Sequence, residues 1–140
     1  MSLKNQTAIV TGGAQGIGLA IAKRLAQDGA AVAVADINQR AAEDAAQIIT
    51  SLGHRASAIV MNVGDAASVD AAVAQVAAEL GAPTILVNNA GIYPRGAAER
   101  FAVAQWEATL AVNLSGAFFA ARSVFPHMSR AQWGRIINMS

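Results

Sequence analysis

The sequence contains no cysteine. That excludes disulfides and thiolate metal sites, and it fits a reducing compartment, so a cytoplasmic location is the expectation. Proline is scarce, at three in 140 residues, and no segment reads as a proline-rich linker. Aromatic residues make up 5% and charged residues 14%. Ten basic residues face nine acidic ones, and the basic ones are scattered. Without a basic cluster, neither nucleic acid nor an anionic membrane surface is expected as a partner. The opening residues "MSLKNQTAIVTGG" hold no apolar stretch of the signal-peptide kind. No run approaches about 18 uninterrupted apolar residues, so no membrane-spanning helix is expected.

What is present is apolar bulk. Residues of the apolar class reach 54%, much of it alanine. The length suits one globular domain. Short apolar runs alternate with alanine-rich helical stretches. "TAIV" (7–10), "AVAVA" (31–35), "SAIVM" (57–61), "TILVN" (84–88) and "RIINM" (135–139) read as strands. Between them the spacing predicts helices from Ile17 to Gln27, from an Asn38 cap to about Leu52, and from an Asp65 cap to about Leu80. One long helix is expected from about Ala104 to Pro126 or Ser129, with Trp106, Leu110, Phe118, Phe119 and Val124 as its packing stripe. Strand and helix in strict alternation predict an α/β fold, a Rossmann-like, doubly wound parallel sheet. The strands should be apolar on both faces.

The loop "TGGAQGIG" joins the first strand to the first helix. Gly12, Gly16 and Gly18 are spaced G-x-x-x-G-x-G, which differs from the common G-x-G-x-x-G dinucleotide fingerprint. The physics is shared. A glycine permits the sharp exit from the strand, another lets backbone approach a pyrophosphate, and a third packs the helix close to the sheet. Backbone N–H groups and the positive helix end then suit phosphate. No G-x-x-x-x-G-K-[ST] occurs, so a triphosphate loop of that type is excluded. Asp36 closes the second strand, and in a doubly wound sheet that position lies near an adenosine ribose. A carboxylate there accepts from ribose hydroxyls and repels a 2′-phosphate. Gln15 before Gly16 and Ile37 after Asp36 supply no cation, so NAD is expected over NADP.

"TGGAQGIG", Asp36, "NV" at 62–63, "NNAG" at 88–91, "VNL" at 112–114 and "GRIINMS" resemble, in order and spacing, the short-chain dehydrogenases/reductases. The resemblance covers the whole chain. It implies that Thr11, Gly12, Gly16, Ile17 and Gly18 form the phosphate cradle. It also implies that Asn62 and Val63 contact adenine, Asn88 ties strands together, and Asn89, Ala90 and Gly91 line the cofactor ribose. Asn113, in an otherwise apolar helical stretch, would be buried and would hold a water in the proton relay of catalysis. The substrates implied are small alcohols or ketones. Family members often dimerise through the long helix and the next one, so a homo-oligomer is implied for the full-length protein. His54 and His127 have no carboxylate at ligand spacing and are not expected to bind metal.

The family chemistry needs a Ser and a Tyr-x-x-x-Lys pair. Nearby Lys⁺ lowers the tyrosine pKa from about 10, and the tyrosine then passes the proton. Here the single tyrosine, Tyr93, is followed four residues later by Ala97, and the only lysines are Lys4 and Lys23. By the resemblance, Ser140 aligns one residue before the catalytic serine. The expectation is the cofactor-binding part of a longer oxidoreductase, truncated before its catalytic residues, with the later strands missing. Two other readings stay open: a non-catalytic dinucleotide-binding or sensor protein, and a methyltransferase on a similar sheet. The second leaves "NNAG" unexplained.

Overall fold

The structure, a computed structural model, describes residues 2–140. Strand β1 (Thr7–Thr11) lies at the middle of a five-stranded sheet. On one side follow β2 (Ala31–Asp36) and β3 (Ala56–Val60). On the other lie β4 (Pro83–Asn88) and β5 (Arg135–Asn138). All four pairings are parallel. The expected parallel, doubly wound sheet is present, with strand ends shifted by a residue or so.

Alternation along each strand sends side chains to opposite faces. Ala8, Val10, Val32, Val34, Ile85 and Val87 pack beneath α1 (Gly16–Gln27) and α2 (Gln39–Ser51). Ile9, Ala33, Ala35, Ile59 and Leu86 pack on the other face. There they meet α3 (Ala66–Glu79) and α5 (Gly116–Ala131). Helix α4 (Val103–Leu110) runs into α5 through the turn described below. Alanines at Ala22, Ala26, Ala42, Ala45 and Ala72 are all buried, which lets the helices sit close to the sheet. Two helix starts are capped as their sequences predict. Asn38 Oδ1 accepts the Ala41 N–H at 3.0 Å, and Asp65 Oδ1 accepts the Ala67 N–H at 2.9 Å.

Two expectations need correction. The long helix is not one α-helix: residues Ala111–Ser115 form a π-turn between α4 and α5. Such a one-turn widening leaves no mark in apolar periodicity, because it adds a single residue to the turn. The predicted stripe is also not a core stripe. Val124 is fully buried, but Trp106 and Phe118 are 57% and 62% exposed. Strand β5 is exposed at all four residues, as expected of a fifth strand with no sixth beside it. It pairs only with β4, and among the described residues no strand pairs with its other edge.

The continuous helical stretch Val103–Ala131 is long and apolar enough, by length and composition, to cross a membrane. The stretch nonetheless packs on the sheet through Ala120, Val124 and Met128.

Candidate dinucleotide-binding groove

The strand order reverses between β1 and β4, and a crevice opens there at the carboxyl ends of the strands. This is where open α/β sheets place ligands. Two connected hollows occupy it. One, of about 460 Å³, is lined by Gly12, Gly16, Gly18, Asp36, Asn62 and Ala90, with others. The second, of about 340 Å³, shares Val63, Asn89, Ala90 and Gly91 with the first and continues past Asn113 to Asn138 and Ser140. The cofactor-site residues expected from the sequence, together with Asn113, therefore line one groove. Thr11 and Asn113 lie only in its second part.

The glycine loop is shaped by close approaches. Gly12 and Gly16 have φ of +61° and +54°, which only glycine adopts without strain. A Cβ on Gly18 would stand 2.2 Å from the Gly12 carbonyl oxygen and 2.6 Å from Asn89 Nδ2. Gly18 is thus the packing glycine. A Cβ on Gly16, which lines the groove, would meet no protein atom within 4 Å. Helix α1 begins here without a side-chain cap, since Gln15 makes none. The first N–H groups of a helix have no intrahelical partner, and Gly16, Ile17 and Gly18 here line the groove. An anionic group fits this cradle. Gly13 was not singled out from the sequence, yet a Cβ there would lie 2.7 Å from the Val10 carbonyl oxygen. Only its place beside Gly12 hinted at this.

The groove floor is tied across β1 and β4. Thr11 is 1% exposed. Its hydroxyl donates to the Val87 carbonyl at 3.3 Å and accepts the N–H groups of Asn89 and Ala90, each at 3.1 Å. Asn89 Nδ2 returns two bonds, to the carbonyls of Thr11 at 3.0 Å and Gly12 at 3.1 Å. Thr11 and Asn89 thus hold the loops in place from inside. Asn88 Nδ2 donates to Asn138 Oδ1 at 2.9 Å and to the Ala117 carbonyl at 3.4 Å, joining β4 to β5 and α5.

Asp36 is half-buried, and both carboxylate oxygens accept backbone N–H groups, from Ala14 at 3.3 Å and Asn38 at 3.1 Å. Ile37 beside it is 68% exposed on the groove wall. Asn62 is exposed, and its Oδ1 accepts the Gly64 N–H at 3.1 Å. The amide NH₂ group is thereby left as its free edge. Val63 is buried and lines both hollows.

Asn113 sits in the π-turn. It is exposed, where burial was expected. It is still fully paired: Oδ1 accepts the Ile92 N–H and Nδ2 donates to the Ile92 carbonyl, both at 2.9 Å. Tyr93, next in that loop, is 81% exposed, with the Arg95 guanidinium 5.6 Å from its ring centre. Lys4 packs by Gly29 at the opposite end of the sheet and Lys23 lies in α1, so the cation over the tyrosine ring is Arg95 and not a lysine. Among the described residues no group of three acidic, His or Cys side chains could hold a metal ion. His127 is pushed below its ordinary value of 6.5 by burial, and the Arg130 guanidinium adds to the shift.

The profile of the short chain dehydrogenase family matches residues 6–140. The chain belongs to the short-chain dehydrogenases. Among curated members, D-threitol dehydrogenase of Mycolicibacterium smegmatis is 46% identical over 140 residues, covering 99% of this chain and 53% of that protein. D-beta-hydroxybutyrate dehydrogenase of Cupriavidus necator is 38% identical, covering 99% and 54%. The crystal structure of a gluconate 5-dehydrogenase from Burkholderia cenocepacia, in complex with NADP and tartrate, superposes with a TM-score of 0.91 at 39% identity. That match covers 98% of this chain and 54% of the other. This short-chain dehydrogenase chain thus spans about half the length of the relatives it matches, and the family's fold is the one described above.

Proposed function

We propose that the chain is the cofactor-binding part of an oxidoreductase that interconverts a secondary alcohol and a ketone with NAD. The observation that carries the reading is the groove at the β1–β4 reversal, where the glycine cradle, Asp36, Asn62 and the Asn89–Gly91 loop converge. In this reading the pyrophosphate lies at the start of α1, against Gly12, Gly16 and Ile17. Asp36 takes the ribose hydroxyls, and its charge with no cation beside it disfavours a 2′-phosphate. Asn62 offers its amide, and Val63 its apolar surface, to the adenine. Ala90 and Gly91 line the second ribose, on a loop that Thr11 and Asn89 fix in place.

The cofactor, when bound, supplies the hydride acceptor or donor. The chain's own residues bind it, orient it and keep its two ends apart along the groove. Asn113 is assigned to the nicotinamide end. There its two bonds to Ile92 set the loop, and the π-turn presents the backbone from which an ordered water could be held for proton relay. Proton transfer itself needs a Ser and a Tyr-x-x-x-Lys pair. Neither lysine nor the exposed Tyr93 offers that pair, so these groups are assigned to a continuation of the chain. The exposed apolar side chains of α4, the π-turn and α5, with Trp106, Leu114, Phe118 and Phe125, are assigned to self-association of the full-length protein.

The test is to express residues 1–140 and the whole natural reading frame side by side, and to follow NADH and NADPH formation from a panel of secondary alcohols. Turnover by the longer protein with NAD preferred, and none by residues 1–140, is the expected result. A higher kcat/KM with NADP overturns the cofactor assignment. Turnover by the short chain overturns the division of roles.

A further inference from the structure

We propose that the Asp36 carboxylate is a positioning group that latches the glycine loop to the start of α2. Its consequence for cofactor choice rests on reading the groove as a dinucleotide site. The latch itself is visible in the chain alone. Oδ2 of Asp36 accepts the Ala14 N–H at 3.3 Å, and Oδ1 accepts the Asn38 N–H at 3.1 Å. Ala14 belongs to the β1–α1 loop, between the close-packed Gly13 and the left-handed Gly16. Asn38 is the cap of α2 and passes the constraint on by accepting the Ala41 N–H at 3.0 Å. One carboxylate therefore bridges two loops that the sheet alone does not connect at this height. The neighbouring bond, from the Gly13 N–H to the Ala35 carbonyl at 3.1 Å, fixes only the root of the glycine loop.

Hydrogen bonds to an ionised acceptor are the stronger kind. Among the described residues the two ion pairs are Arg24–Asp28 and Arg122–Asp70, so no cation competes for Asp36. Its charge is met by backbone N–H groups, and the residue lines the groove. A vicinal diol can donate to carboxylate lone pairs, whereas a phosphomonoester brings only acceptors and like charge. Removing the carboxylate to admit a 2′-phosphate also releases Ala14 and Asn38. A single substitution at Asp36 should then lose affinity for the diol-bearing cofactor without gaining an equal affinity for the phosphorylated one.

The test is amide hydrogen exchange on the cofactor-free, full-length protein, comparing wild type, Asp36→Ala and Asp36→Asn. In Asp36→Ala the amides of Ala14 and Asn38 should exchange about fivefold faster or more, the factor that accompanies loss of an ordinary hydrogen bond. The amides of Ile9 and Val34 in the core strands should be unchanged. Asp36→Asn keeps one oxygen acceptor, so only one of the two amides should accelerate. This near-isosteric variant carries the test if Asp36→Ala does not fold. Unchanged exchange at Ala14 and Asn38 in a folded variant overturns the latch. Calorimetric titration of the wild type with NAD is read separately. Failure to bind NAD overturns the cofactor reading, and the exchange data still decide the latch.

Discussion

Asn113 holds Ile92 by both of its backbone groups, with the side-chain oxygen on the N–H and the side-chain nitrogen on the carbonyl, each at 2.9 Å. The pair links the π-turn to the loop that follows β4. Gly91 lies against the same contact, since a Cβ there would sit 3.5 Å from Asn113 Oδ1. Asn113→Ala should lower stability by only about 1 kcal/mol, because water can replace the partners at this exposed site. The loop after Gly91 should loosen far more than the fold. Amide exchange at Ile92, measured beside urea unfolding, checks both halves. Asn113→Asp keeps the acceptor and loses the donor, so the Ile92 amide should stay protected in it.

Gly16 and Gly18 should fail in different ways. Gly16→Val puts a branched side chain at φ +54° on a residue that lines the groove, with no protein atom within 4 Å of its Cβ. The cost in stability should be about 1–2 kcal/mol from the left-handed backbone, and NAD affinity should be lost. Gly18→Ala instead drives a methyl group onto the Gly12 carbonyl and Asn89. It should destabilise by about 1–3 kcal/mol through displacement of the loop. Urea unfolding and calorimetric titration of both variants separate the two effects.

Thr11→Val keeps the shape of a buried side chain and removes its hydroxyl. The N–H groups of Asn89 and Ala90 then lose their acceptor, and the Val87 carbonyl loses a donor. A loss of about 2–3 kcal/mol is expected, because unsatisfied partners cost more than the bond itself contributes. Thr11→Ser should retain most of the stability. Equal unfolding free energies for the Val and Ser variants would show that the hydroxyl carries nothing.

His127 gives a pH dependence of definite sign. Burial first, and Arg130 second, hold its folded pKa below 6.5. Above that value the side chain is neutral in both states and contributes nothing. As pH falls below it, the unfolded chain takes up a proton that the folded chain does not, so stability drops until the folded histidine protonates too. His127→Gln should therefore show a smaller fall in unfolding free energy between pH 7 and pH 5 than the wild type. A fall of the same size in both would mean that His127 is not the group responsible.

The sequence by itself determined the layered sheet. Apolar runs such as "AVAVA" alternate with helical stretches, and that pattern has one simple solution in parallel strands covered on both faces. The caps Asn38 and Asp65 and the spacing of Gly12, Gly16 and Gly18 were legible because local hydrogen bonding and backbone sterics act over a few residues. Tertiary structure decided the rest. That Thr11 and Asn89 clasp one another depends on β1 and β4 becoming neighbours, a pairing 78 residues apart in the chain. The π-turn at Ala111–Ser115 exposes Asn113 to Ile92, and the apolar pattern carries no sign of it. Trp106 and Phe118 read as core in sequence because hydrophobic spacing reports which residues avoid water, and not what covers them. Asp36 was readable as a strand-end carboxylate, but its bonds to Ala14 and Asn38 exist only because the sheet brings the ends of β1 and β2 side by side.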